Sequence, residues 1–375
     1  VNRIQHRIHV NGTRGKSSVT RLIASALRAG GVRTCAKTTG TTARFILPDG
    51  RELPIFRPAG ANIIEQKRIV RVAAGYGAEA LVVECMALQP LLQSMSELKL
   101  IRATHGIITN ARPDHLDVMG PDAHGVARAL AGTTPVRGRL YTAEVEQLDV
   151  FRDAADDRGT ELIAVPDLGA LLGSDEAAAD ALGGFAWTEH ADNVALALRL
   201  TDDLGVPRRM ALEGMWKAAP DPGAMRTERL DFFGRRIVFV NAFAANDPVS
   251  TEQAWHESLS THRAQVEKTI AIFNCRSDRA DRSVQLGRAY AEWTPADAAV
   301  LMGDGTYLFA EAASKAGADP AAFIFLGALS TSRAFERIVG LCGASTLVVG
   351  MGNTGGGGLQ LSTHFANRAW REALS

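Results

Sequence analysis

Seven consecutive residues, Gly12-Thr13-Arg14-Gly15-Lys16-Ser17-Ser18, are of types that together can grip a phosphate. The glycines let backbone N–H groups approach an anion closely, and a helix start adds a favourable dipole. In such a loop Lys16 reaches the terminal phosphates of a nucleotide and Ser17 takes a magnesium ion. The usual spacing places a glycine at position 10, where this chain has Val10. Read alone, the segment is also compatible with a glycine-rich turn carrying an exposed lysine.

Three further groups can do chemistry. The stretch Lys37-Thr38-Thr39-Gly40-Thr41-Thr42-Ala43-Arg44 is dense in hydroxyls, which suit a metal or phosphate site and equally a polar turn. Glu84 follows the apolar run Ala80–Val83, where a carboxylate must be paired with an arginine or bound to a metal. Magnesium wants hard oxygen donors, and a nucleotide brings the rest. In Asn110-Ala111-Arg112-Pro113-Asp114-His115-Leu116-Asp117 two acids flank His115, which favours a ligand or acid–base role. His105 and His124 read as structural. In the second half, Arg276, Arg279 and Arg282 recur every three residues between Asp278 and Asp281. On a helix they would share a face and suit a carboxylate-bearing substrate, or simply form a salt-bridged helix start. Gly350-Met351-Gly352-Asn353 and the following glycines read as an anion loop or a loose connection before the final helix.

Elements must position these residues. Ile4, Ile8 and Val10 alternate as a strand, and Val19, Leu22, Ile23, Ala26 and Leu27 follow helical spacing until Gly30-Gly31. Further strands are expected at Ala80–Val83, Gly106–Ile108 and Glu161–Val165, with helices between. After Pro220-Asp221-Pro222-Gly223 the alternation resumes at Ile237–Val240, Thr269–Phe273, Ala298–Met302, Phe323–Leu326 and Thr346–Val349. The expected fold class is α/β: a P-loop parallel-sheet ATPase domain over 1–229, then a smaller Rossmann-like, doubly wound α/β domain over 230–375. Several strands end in a polar residue, namely Asn11, Glu84, Asn110, Asn241 and Asn274. Parallel sheets bind ligands at that end.

Composition narrows the partners. With 41 basic and 41 acidic residues the formal net charge is zero, which speaks against bulk nucleic acid. The four cysteines are scattered with no Cys-x-x-Cys pair, so zinc and disulfide frameworks are poorly supported. No apolar run reaches the roughly 18 residues of a membrane span. The chain opens at Val1, almost on the first strand, so a native anchor can have preceded it.

These residues carry a resemblance to the Mur ligase superfamily, which includes the peptidoglycan amino-acid ligases and folylpolyglutamate synthetase. Gly12-Thr13-Arg14-Gly15-Lys16-Ser17, Glu84 at a strand end, and Asn110 through Asp117 resemble its motifs. Asp192-Asn193-Val194-Ala195 resembles its adenine-contacting helix, and Met225-Arg226-Thr227-Glu228 a stretch before the last domain. Asn241-Ala242-Phe243-Ala244-Ala245-Asn246-Asp247-Pro248 is similar to a third nucleotide segment, though Phe243 and Ala245 replace its tyrosine and histidine. Within it the chain most resembles the ATP-binding subunit of capsular poly-γ-glutamate synthetases, on Lys37–Arg44, Glu84–Ala87, Asp114–Pro121, Ala219–Arg226 and Asn274–Arg282.

The resemblance implies an ATP- and Mg2+-dependent amide ligase working through an acyl phosphate, with L- or D-glutamate and a growing poly-γ-glutamate chain as substrates. A folylpolyglutamate-type ligase and an ATP-binding assembly or export subunit are the alternatives. It implies Lys16, Glu84 and His115 as catalytic residues. Metal ligands would be Ser17, Thr39, Glu84 and His115. Gly12–Ser18, Asn110, Asn193, Arg226, Asn241 and Asn246 would bind ATP, and Arg276, Arg279 and Arg282 would bind substrate. It also implies a small membrane partner, a homo-oligomer, and a place on the cytoplasmic face of the cell membrane. A second magnesium held by a modified lysine is not expected, because no lysine lies between His115 and Arg137.

Overall fold

The computed structural model describes residues 3–39, 43–57, 62–221 and 224–369. Gly40, Thr41 and Thr42 of the hydroxyl-rich stretch, and Pro222-Gly223 of the inter-domain segment, lie outside the described residues.

The first strand, β1 (His6–Asn11), buries Ile8 and Val10 completely. It is followed by β2 (Thr34–Lys37), β3 (Arg44–Ile46), β4 (Glu52–Pro54), β5 (Ala80–Glu84), β6 (His105–Ile108), β7 (Arg139–Thr142) and β8 (Glu161–Ala164). They form one sheet in the order β4-β3-β2-β5-β1-β6-β7-β8. From β2 to β8 every pairing is parallel; β3 and β4 add an antiparallel edge. Central strands covered on both faces need unbroken apolar runs, and Ala80-Leu81-Val82-Val83 is fully buried. Helix α1 (Lys16–Ala29) leaves the loop after β1 and buries Val19, Leu22, Ile23, Ala26 and Leu27, the positions its periodicity predicts. Gly15, in the left-handed region at φ 81°, turns the chain into that helix.

The second unit begins with β9 (Arg226–Phe232) and β10 (Arg235–Asn241), an antiparallel pair. Then come β11 (Lys268–Cys275), β12 (Ala298–Gly303), β13 (Phe323–Gly327) and β14 (Ser345–Met351). The sheet order is β13-β12-β11-β14-β10-β9, parallel apart from the β9 edge. Helices cover both faces: one core gathers Trp255, Phe273, Tyr290 and Phe309, the other Phe239, Phe335 and Phe365.

The chain divides into compact units at Val1–Pro222 and Gly223–Ser375, a few residues before the expected boundary of 229/230. The reason is β9. It is a largely exposed, charged strand with weak alternation, and its pairing with β10 carries residues 226–229 into the second unit. Among the described residues no helix is long and apolar enough to cross a membrane.

Candidate functional site

The carboxyl end of the first sheet is where β1, β5 and β6 release their loops. Gly12 adopts φ 135°, and a Cβ there would lie 1.9 Å from Thr109 Oγ1. Only glycine lets the loop pass this close to the end of β6. The neighbouring strand then holds the loop in shape. Thr13 Oγ1 donates to Asn110 Oδ1 at 2.6 Å, and the Arg14 amide donates to the same oxygen at 3.1 Å. Asn110 Nδ2 and Thr109 Oγ1 donate back to the Arg14 carbonyl at 3.3 and 2.5 Å. Asn110 is thus a brace for the loop backbone. Asn11, the last residue of β1, performs a similar duty inward, donating to Gln93 Oε1 and Thr133 Oγ1.

Lys16 Nζ donates to the Gly12 and Thr13 carbonyls at 2.6 and 3.2 Å, so its ammonium lies over the loop. Burial lowers its pKa, while nearby Glu84 acts in the opposite direction. Glu84, only 3% exposed, ends β5 beside the loop. Its Oε2 accepts from Ser17 Oγ at 2.8 Å and from the Thr39 amide at 2.7 Å, and its Oε1 accepts from Thr39 Oγ1 at 2.9 Å. No arginine partners this carboxylate in the described contacts; two hydroxyls and an amide do. Ser17, Thr39 and Glu84 therefore present hard oxygen atoms at one point, the donor set that suits Mg2+. Among the described residues no cluster of three or more His, Cys, Asp or Glu could cage a metal alone.

His115 sits in the left-handed region at φ 49°, immediately before the short helix Leu116–Met119. Its amide donates to Asp114 Oδ1 at 3.0 Å, its Nε2 is 3.9 Å from that oxygen, and Arg14 Nη2 is 3.5 Å from Asp114 Oδ2. Of the two flanking acids only Asp114 is near the ring in this way; Asp117 is exposed. Lys16, Thr39, Glu84 and His115 line one cavity of about 240 Å³ together with Gly12–Arg14. Asn193, on the helix Ala191–Asp203, lies against the loop as well: a Cβ on Gly15 would be 2.4 Å from its Oδ1. Ser18 is simply the third residue of α1.

Sequence reasoning missed the support behind Thr39. Lys37 is fully buried, and its Nζ lies 3.1 Å from Glu65 Oε1; Arg57 grips both Glu65 oxygens at 2.7 and 2.9 Å. Burial pushes the Lys37 pKa down. It also missed His9 in β1, whose Nδ1 lies 2.8 Å from Glu97 Oε2. Burial disfavours the charged imidazole, but Cys85 and Glu97 outweigh it and lift its pKa to about 9. His105, in contrast, is lowered by burial to about 4 and bonds to Thr104 Oγ1, in keeping with a structural role.

The remaining candidates lie in the second unit. Arg226 and Asn241 are cross-strand partners at one end of the β9–β10 ribbon. Asn246 precedes Asp247, which caps the helix Pro248–His262. The three arginines do not share a helix face as expected. Arg276 is extended and forks onto Asp278 at 2.9 and 2.7 Å, Arg279 follows in a 3-10 turn, and only Arg282 lies within the helix Ala280–Tyr290. Arg282 Nη1 instead reaches Asn353 Oδ1 at 2.8 Å. The glycine segment is no loose connection. Asn274 Nδ2 donates to the Asn353 and Gly355 carbonyls at 2.5 and 2.8 Å, and Asn353 Nδ2 returns a bond to the Asn274 carbonyl.

The fold follows the Mur ligase plan, and the chain's relatives make it an ATP-dependent amide ligase. Residues 10–129 match the Mur ligase middle domain, and residues 227–368 match the poly-gamma-glutamate synthase CapB C-terminal domain. The chain is 38% identical over 358 residues to the capsule biosynthesis protein CapB of Bacillus anthracis, covering 95% of this chain and 75% of that protein. It is 38% identical over 302 residues to the PGA synthase CapB of Bacillus subtilis (strain 168), covering 80% and 75%. Among solved structures, E. coli FolC in complex with DHPP and ADP superposes with a TM-score of 0.64 at 16% identity, covering 98% of this chain and 90% of that one. The chain belongs to the CapB poly-γ-glutamate synthase family.

Proposed function

We propose that this ligase joins glutamate to a growing poly-γ-glutamate chain, using ATP and Mg2+ at the Gly12–Ser18 loop. The observation that carries the reading is the convergence of Ser17 and Thr39 on Glu84 beside Lys16. An ionised carboxylate is a poor electrophile, so its oxygen first attacks the γ-phosphorus of ATP, giving an acyl phosphate and ADP. The amine of the second substrate then attacks the acyl carbon, phosphate leaves, and a proton is released as the amide forms. Phosphoryl transfer is mainly positioning and charge neutralisation. Lys16 swings from its own loop carbonyls onto the terminal phosphates, and the Gly12–Gly15 amides cradle them. Ser17, Thr39 and Glu84 would hold the magnesium, which would supply neutralisation of the phosphate charge. His115, steadied by Asp114, faces the same cavity and contributes a further polar contact.

Asn193, Arg226, Asn241 and Asn246 are proposed nucleotide contacts, and Arg276, Arg279 and Arg282 proposed contacts for substrate carboxylates. A small membrane partner, self-association and a place at the inner membrane face belong to the same proposal. The test is phosphate release from ATP with L-glutamate, D-glutamate or neither, in the presence of membrane fractions, with linkage analysis of the product. Glutamate-dependent release and γ-linked product that both vanish in Lys16→Ala are expected. Release indifferent to either glutamate enantiomer in every reconstitution refutes it.

A further inference from the structure

Away from the nucleotide loop, the outer face of α1 borders a larger cleft of about 760 Å³, within the range of small-molecule sites. Arg21, Ser25 and Arg28 all line it. Spaced by four and three residues, they share one helix face. Arg21 is 3% exposed, yet its Nε has no hydrogen-bond partner among the described residues, because both terminal nitrogens are committed to Glu52. Arg28 Nη2 donates to Ser25 Oγ at 2.8 Å, while its buried Nη1 also lacks a partner.

The carboxylates around the cleft are already engaged. Glu52 is held by Arg21, Asp49 by Arg51 and Glu213 by Arg209. The lining side chains Arg21 and Arg28 retain two guanidinium N–H groups with no acceptor among the described residues and almost no exposed surface, which a small shift of either side chain would turn to the cleft, and the exposed Lys217 stands at its margin. A buried donor with no acceptor is expensive, and an arginine fork is shaped for an oxyanion.

We propose that this cleft is a second oxyanion site, separate from the nucleotide loop, in which Arg21 Nε and Arg28 Nη1 donate to a carboxylate or phosphate group. Two sources share that chemistry. One is a carboxylate of the glutamyl chain, a choice that rests on the function proposed above; the other is free inorganic phosphate. The cleft exceeds what a lone phosphate fills, which favours the chain.

Isothermal titration with tri-γ-glutamate and, separately, inorganic phosphate tests the site, with saturating Mg-ADP present to occupy the nucleotide loop. Arg28→Gln is the variant, since it leaves the Arg21–Glu52 pair intact, and its Mg-ADP affinity reports on folding. The expected result is binding to the wild type and a loss of about 10-fold or more in the variant, the usual worth of a charged hydrogen bond, with Mg-ADP affinity unchanged. Tighter binding of tri-γ-glutamate assigns the chain, and equal or tighter binding of phosphate assigns the free anion; either supports the site. Binding of neither probe in the millimolar range, or equal binding to wild type and variant, overturns it. Glutamate-dependent phosphate release, assayed separately, shows whether the ligase reading has failed instead.

Discussion

Glu97→Gln will make the first unit's stability respond differently to pH, and the size of the effect follows from His9. His9 is fully buried, Glu97 is 1% exposed, and they meet at 2.8 Å. The folded-state pKa of about 9 lies above the ordinary 6.5. A group raised on folding contributes its full stability below the unfolded pKa and loses it as pH rises through the folded one. The window is therefore pH 6.5 to 9. At about 1.4 kcal/mol for each tenfold in proton affinity, the whole lift corresponds to about 3 kcal/mol at pH 6 and nothing above pH 9; Cys85 shares in it with Glu97, so the variant removes only part of it. For a unit of 222 residues, the full lift is worth about 6–12 °C in Tm, which is the ceiling for the variant. The assay is differential scanning calorimetry of wild type and variant at pH 6 and pH 9.5, where taking the difference cancels groups common to both. The wild type should lose its advantage between those values. A difference in Tm that stays constant with pH, or grows towards pH 9.5, refutes the charged-imidazole argument.

Other outcomes follow from single contacts. Gly12→Ala places a methyl against Thr109 at a positive φ, and should weaken Mg-ADP binding at least about tenfold by titration, with strain of about 1–3 kcal/mol. Glu65→Gln removes the only carboxylate that ion-pairs with buried Lys37 among the described residues, and should cost about 3–5 kcal/mol in denaturant melts. Lys37→Met should cost far less, because Arg57 still holds Glu65. Glu84→Gln keeps the shape but not the charge, and should lower magnesium affinity about 10–100-fold, read by nucleotide titration against Mg2+ concentration.

Much of this architecture can be read from residue patterns, for identifiable reasons. β1, β5 and β6 are buried on both faces, so their apolar runs stand out. β10, β11, β12 and β14 of the second unit show for the same reason, and the edge strand β13 shows by its apolar run although Phe325 is exposed. β3, β4 and β7 have three or four residues each, too short to establish a period, and β9 is charged and largely exposed, with only Leu230 buried. The phosphate loop is local and therefore visible. The meeting of Ser17, Thr39 and Glu84 is not: these residues are separated by 67 and 45 positions, and only the β2–β5–β1 order brings them together. Arg276–Arg282 misleads because regular spacing predicts a helix, whereas Asp278 draws Arg276 into an extended turn.

Asn110 has a consequence beyond holding a loop still. One amide oxygen accepts from both a hydroxyl and a backbone N–H of the glycine segment, while its own nitrogen turns to a carbonyl of the same segment. The shape of the loop proposed to receive phosphate is thus set nearly a hundred positions downstream of its glycines. A change at Asn110, or a transplanted loop between Thr109 and Arg112, can spoil the grip while every letter of the glycine motif stays intact.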